Sequence, residues 1–96
     1  MGYLVLITKS VEREDLPKLQ KSGVNLKPLQ NIFKKLQSNP YITSKSKTGD
    51  LQSHRAVNWN NGYRVLFKID EEKKQVIIVA IDSHDNAYKK AKKRNN

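Results

Sequence analysis

The sequence contains no cysteine, which excludes a disulfide framework, a thiolate metal centre and a cysteine nucleophile together. Histidine is nearly as scarce. There are two, His54 and His84, and neither sits in a ligand-spaced cluster, so a structural zinc site is not expected. No apolar run reaches the roughly 18–20 residues that a membrane-spanning helix needs. Met1–Thr8 holds only a short apolar stretch without a basic lead or a small-residue cleavage site, so no secretory signal is read there. Acidic residues are also few: 9 Asp plus Glu face 19 Lys plus Arg, a formal net charge of +10. What remains is one small domain over residues 1–96 with a basic tail at 89–96, expected to be cytoplasmic and attracted to polyanions.

The excess charge divides in two. Lys89-Lys90-Ala91-Lys92-Lys93-Arg94 holds five cations and no acid, and without them 14 basic residues still face 9 acidic ones. A Lys-rich end is either a solvated terminus or a source of diffuse attraction. The excess on the body needs a place on a folded surface. Nucleic acid is the commonest partner for such a surface, though an anionic membrane or an acidic protein would use the same charge.

Tyr3–Thr8 is rich in β-formers and reads as a buried first strand. Ser10 reads as a helix N-cap, with Glu12, Glu14 and Asp15 at the positive end of the helix dipole. Pro17 should interrupt or kink that helix, and Ser22-Gly23 should close it. A second helix begins near Leu26, with Pro28 tolerated in its first turn. Its stripe is Leu29, Ile32, Phe33 and Leu36 at i, i+3, i+4 and i+7, and Asn39-Pro40 ends it. Thr43–Gln52 reads as a polar loop. The period then changes to two, giving three strands, Arg55–Trp59, Tyr63–Ile69 and Val76–Asp82. Asn60-Asn61-Gly62 forms the first tight turn because Asn and Gly accept positive φ. A short helix is read from Asn86.

A two-residue turn at Asn61-Gly62 sets Trp59 opposite Arg64, Val57 opposite Leu66 and Arg55 opposite Lys68; a three-residue loop reverses that parity. A similar count puts Phe67, Val65 and Tyr63 opposite Ile77, Val79 and Ile81, an apolar face for the helices to cover. The second face then collects Arg55, Trp59, Arg64, Lys68 and Asp82, with His84 continuing the parity. There Trp59 and Arg64 suit a cation–π pair, and cations beside an aromatic suit a phosphate and a stacked base. The bland alternative is a half-exposed sheet with snorkelling stems. His54 falls on the core side or turns toward the site.

Several of these segments resemble the RelE/ParE toxin superfamily: Gly62-Tyr63-Arg64-Val65-Leu66-Phe67-Lys68-Ile69-Asp70, Val76–Ile81, and Ser83-His84-Asp85-Asn86-Ala87-Tyr88. Phe33-Lys34-Lys35-Leu36 with Asn39-Pro40-Tyr41 is similar to the family's helix–turn lead-in. The resemblance implies an α+β fold, with two N-terminal helices packed on one face of a small, mostly antiparallel four-stranded sheet (β-α-α-β-β-β) and a short C-terminal helix or tail. It also implies a toxin of a type II toxin–antitoxin pair that cleaves mRNA, usually on the ribosome. The cleavage needs no metal or other cofactor and proceeds by attack of the RNA 2′-OH, giving a 2′,3′-cyclic phosphate and a 5′-OH.

By the same resemblance Arg64 stabilises phosphate charge and Arg55 is a basic position on the preceding strand. His84 takes part in proton transfer, and Tyr88 orients substrate or joins the proton chemistry; apart from the resemblance, docking the tail is the alternative role for Tyr88. Lys68, Trp59, His54, Lys34, Lys35, Lys89, Lys90 and Lys93 are the expected RNA contacts. Val57 and Trp59 stand where the RelE branch carries basic residues, which favours a histidine-using variant. An imidazole ordinarily titrates near pH 6.5, which suits such a role. The implied partners are mRNA, ribosomal RNA and an acidic antitoxin, with no membrane; the protein is expected as a monomer alone and a hetero-oligomer with its antitoxin. Two other readings on the same fold are a ParE-like inhibitor of DNA gyrase and an inactive relative that binds only antitoxin or RNA.

Overall fold

The computed structural model describes residues 2–41, 45–46 and 54–94. Strand β1 (Leu4–Ile7) leads through a π-helical turn at Val11–Asp15 into helix α1 (Leu16–Lys21), and α2 (Lys27–Ser38) follows. The strands are then β2 (Lys45–Ser46), β3 (His54–Trp59), β4 (Tyr63–Asp70) and β5 (Gln75–Ser83), and α3 (His84–Arg94) is the last described element. They form one sheet in the order β1-β5-β4-β3-β2, antiparallel except for the parallel β1–β5 pair. The α+β class and element order agree with the sequence reading, with one strand more: Lys45–Ser46 adds a fifth. The rest of the loop expected at Thr43–Gln52 lies outside the described residues.

Local chemistry accounts for the helix ends. Ser10 makes no capping bond; Thr8 does, accepting from Val11 N–H through Oγ1 at 3.4 Å and from Glu12 N–H through its carbonyl at 3.0 Å. Proline has no N–H, and inside an α-helix its ring collides with the carbonyl four residues earlier. Here the turn before Pro17 widens to a π turn in which Leu16 N–H reaches Val11 O, so the helix continues. Gly23, at φ 79°, closes α1, with Gly23 N–H on Gln20 O and Val24 N–H on Leu19 O. The α2 stripe folds as read, with Leu29 and Leu36 buried and Ile32 and Phe33 packed beside them.

Three expectations about faces are corrected. β1 is an edge strand, with Leu4 56% and Leu6 38% exposed, rather than a buried one. The β3–β4 loop contains three residues, so Trp59 pairs with Tyr63, Val57 with Val65 and Arg55 with Phe67. A one-residue change in loop length moves every side chain of the strand to the other face. β5 changes parity at a bulge opposite Leu66/Phe67, which turns Val76 and Ile78 to the main core along with Ile81.

Helices cover both faces. Leu19 of α1 and Leu29 and Leu36 of α2 pack on Val65, Phe67, Ile78 and Ile81, whereas Ala87 and Ala91 of α3 pack on Ala56, Leu66 and Ala80. The C-terminal segment read as a short helix with a basic tail is therefore an 11-residue helix lying on the second face. Among the described residues no helix is long and apolar enough to cross a membrane.

Candidate functional site

Arg64 sits on β4 between Asn58 of β3 and Asp82 of β5, all on the face that carries α3. Its Nη1 donates to the Tyr63 carbonyl at 3.0 Å, and among the described residues no carboxylate pairs with it. The neighbouring Asp82 is occupied by Lys18 at 3.2 Å, Lys90 at 2.7 Å and Ser83 N–H at 2.7 Å. Arg64 therefore keeps its charge available for an anion. It lines a groove of about 550 Å³ with Asn58, Trp59, Asn60, Asn61 and Gly62. Asn60, Asn61 and Gly62 all adopt positive φ (47°, 50° and 111°), which shapes the groove's rim.

His84 begins α3, and its backbone N–H donates to Gly62 O at 2.9 Å, which ties the helix start to that rim. Its side chain is half-exposed. Nδ1 lies 3.0 Å from Asp85 Oδ1, and the ring meets Tyr88 edge-on at 4.7 Å between centroids. With Nδ1–H donating to Asp85, Nε2 is the lone-pair nitrogen, a geometry suited to proton transfer. Asp85, not Asp82, is thus the carboxylate beside His84. The helix start also favours negative charge through its dipole.

The other expected site residues separate from this group. Arg55 lies on the opposite face, its guanidinium 5.1 Å above the Tyr41 ring and bonded to Tyr41 O at 3.3 Å. Lys68 shares Arg64's face but lies four residues further along β4, about 13 Å at the usual strand rise. The Leu66–Ala87–Ala91 packing lies on the same face between them. The Arg55–Lys68 like-charge pair and the Trp59–Arg64 cation–π pair do not form. Trp59 is instead 6% exposed in the main core, tilted against Tyr63 at 5.5 Å, so it presents no face for a stacked base.

His54 is 1% exposed, and burial followed by the Lys68 charge opposite lowers its pKa. Lys34 and Lys35 stand on the exposed side of α2, and Lys35 lines a groove of about 290 Å³ with Ile32, Val57 and Asn58. Lys89 and Lys93 are exposed on α3, but Lys90 is only 22% exposed and bridges Asp15 at 2.8 Å and Asp82 at 2.7 Å.

Sequence reading missed Asn58, which only the three-residue loop sets opposite Arg64. It also misread Asp15 as a dipole residue. Asp15 is fully buried, and the signal was its place in line with Val11 and Leu19 at i, i+4 and i+8. A second missed cluster lies at the β4–β5 turn. There Glu71 accepts from Tyr3, Tyr41 and Lys74; Lys74 and then the two hydroxyls hold its carboxyl down to about 2, while Glu71 pushes Tyr41 up to about 12. Among the described residues no three His, Asp or Glu side chains gather as a metal site.

The fold is thus a five-stranded mixed sheet between helices, with Arg64 and the His84–Tyr88 pair at one end. Residues 5–92 match the family described as ParE-like toxin of type II bacterial toxin–antitoxin system, and the chain belongs to that family. It is 35% identical over 89 residues to the toxin RelE4 of Methanocaldococcus jannaschii, spanning 84% of this chain and 94% of that protein. Its fold is similar to that in the toxin–antitoxin complex RelBE2 of Mycobacterium tuberculosis, with a TM-score of 0.67, 23% identity and coverage of 88% and 100%. It is also similar to a copper-bound mutant toxin from Helicobacter pylori, with a TM-score of 0.70, 17% identity and coverage of 88% and 97%.

Proposed function

We propose that this toxin is a metal-independent endoribonuclease that cleaves mRNA on the ribosome. The observation that carries the reading is the placement of Arg64, which has no carboxylate partner among the described residues, in the groove whose rim is bonded to His84. In the reaction a base removes the proton of the RNA 2′-OH, and the oxygen attacks the adjacent phosphorus. The P–O5′ bond breaks, and the departing oxygen takes a proton, leaving a 2′,3′-cyclic phosphate and a 5′-OH. His84 serves in proton transfer, Arg64 stabilises the extra negative charge of the phosphorane, and Tyr88 orients the imidazole. Arg55 stands on the opposite face of the sheet and Lys68 about 13 Å further along β4, so both are assigned to RNA or partner binding. The exposed Lys34, Lys35, Lys89 and Lys93 supply diffuse attraction to ribosomal RNA. An acidic antitoxin is the expected protein partner, in keeping with the RelBE2 complex of the M. tuberculosis relative.

Primer extension on mRNA from cells briefly expressing the protein tests the reading. Cuts phased with the ribosomal reading frame are expected, and His84→Ala and Arg64→Ala each lower cleavage by about 10²-fold or more. Equal cleavage by His84→Ala removes the assignment of His84. Intact mRNA with inhibited DNA supercoiling replaces the nuclease by a gyrase inhibitor, the reading favoured by the ParE-like family match.

A further inference from the structure

Beyond Ile78, the edge of β5 that faces β1 is covered by no strand among the described residues. Its parallel partner β1 ends where Thr8 N–H bonds Ile78 O at 3.2 Å, and the chain then turns into the helical segment. The next outward-facing groups on β5 are Val79 C=O and Ile81 N–H, both in need of partners. Asp15 Oδ2 accepts from Ile81 N–H at 2.9 Å, and Arg94 Nη1 donates to Val79 O at 2.8 Å. The two side chains are themselves joined by a two-pronged ion pair, Nη1–Oδ2 at 3.0 Å and Nη2–Oδ1 at 2.9 Å. Together they replace the missing strand. Lys90, one turn before Arg94, adds a bond to the other Asp15 oxygen at 2.8 Å and continues to Asp82.

This cluster fastens the C-terminal half of α3, whose apolar contact with the sheet is otherwise made largely by the methyl groups of Ala87 and Ala91. The other end of α3 is continuous with β5 and bonded to Gly62 O. The helix is thus a rigid rod about 15 Å long, pivoted beside the Arg64 groove and clamped at its far end. Tilt and rotation about that pivot carry His84 and Tyr88, one turn apart on the helix, as a unit relative to Arg64.

We propose that Asp15 is a positioning residue: by clamping Arg94 and Lys90 to the open edge of β5 it sets the orientation of α3, and so of the His84–Tyr88 pair relative to Arg64. The catalytic half of this inference rests on the nuclease reading above; the structural half does not.

The test compares wild type with Asp15→Asn, Asp15→Ala and Arg94→Gln in the full chain. Arg94→Gln keeps the buried carboxylate and covers the case in which the Asp15 variants fail to fold. Amide exchange across α3 is expected to quicken about 10-fold or more while the amides of β4 keep their protection, and the NMR signals of the His84 and Tyr88 rings shift. In single-turnover cleavage of ribosome-bound mRNA, kcat falls about 10–100-fold with KM changed little, because misplacement rather than lost binding is the defect. Lys21→Ala, at an exposed position of α1, leaves all three readouts unchanged. Exchange that quickens in α3 and β4 alike, or His84 and Tyr88 signals that stay fixed, overturns the proposal and leaves Asp15 an ordinary stabilising group. If wild type cuts no RNA, the nuclease reading falls, and the exchange and ring signals alone decide the clamp.

Discussion

Trp59, the only tryptophan, offers a sharp test of the β3 register. It is 6% exposed, its ring tilts against Tyr63 at 5.5 Å, and among the described residues its Nε1–H has no hydrogen-bond partner. A buried indole removes about 200–250 Å² from water, worth roughly 5 kcal/mol at 25 cal/mol per Å². Allowing for residual burial in the unfolded chain leaves about 3–4 kcal/mol. The ring contact adds about 0.5–1.5 kcal/mol, and the unpaired N–H takes back about 1–3 kcal/mol. Trp59→Phe gives up about 50 Å², near 1.3 kcal/mol, but also removes that N–H, so its net change should lie within about 1 kcal/mol of zero. Trp59→Ala leaves a cavity and should cost about 3–5 kcal/mol. Urea unfolding followed by far-UV circular dichroism measures both, with slopes unchanged. Wild-type emission should be blue-shifted and shielded from iodide. A loss above about 3 kcal/mol in Trp59→Phe would refute the energy balance. Red-shifted emission open to iodide would refute the register, because a two-residue turn puts the indole on the other face of β3.

Acid should weaken the fold in two stages. Burial and Lys68 lower the His54 pKa, so the stability it contributes above the unfolded value of about 6.5 is lost as pH falls from there toward its folded pKa; His54→Gln should abolish this stage of the urea midpoint profile. The second stage comes from carboxylates. Burial pushes Asp15 and Asp82 up, but Arg94, Lys90 and Ile81 N–H outweigh it at Asp15, and Lys90, Ser83 N–H and Lys18 do so at Asp82. Both therefore stabilise the fold above the unfolded value of about 3.9 and lose that contribution as pH falls through their depressed folded values. Gly62→Ala should cost about 1–3 kcal/mol by thermal unfolding, since a Cβ there meets nothing within 4 Å and the penalty is purely that of φ +111°. Ribosome binding, followed by sedimentation, should weaken steeply between low and physiological salt, and a flat profile would remove the phosphate-attraction argument.

The β-α-α-β-β-β order, the α2 stripe, the Gly23 stop and the Asn-Asn-Gly turn were legible because each follows from local pattern: hydrophobic period, or a residue that tolerates positive φ. Arg64 and His84 were expected as site residues only through the resemblance to a family. Which residues stand beside them was not. The turn's residues were right but its length was off by one, and that difference sent Trp59 and Arg55 to the far face and brought Asn58 opposite Arg64.

The lack of cysteine, the few acids and the surplus of cations determined by themselves that no disulfide or thiolate site exists and that the chain carries +10. Only the tertiary structure decided how that charge is used. Lys90 and Arg94, which look like part of a solvated tail, are drawn onto buried Asp15 because an open sheet edge and a buried carboxylate both need partners. Among the described residues Arg64 has no carboxylate partner, its neighbour Asp82 being held by Lys18 and Lys90. Composition counts charges, whereas burial and cross-strand pairing determine which of them remain available.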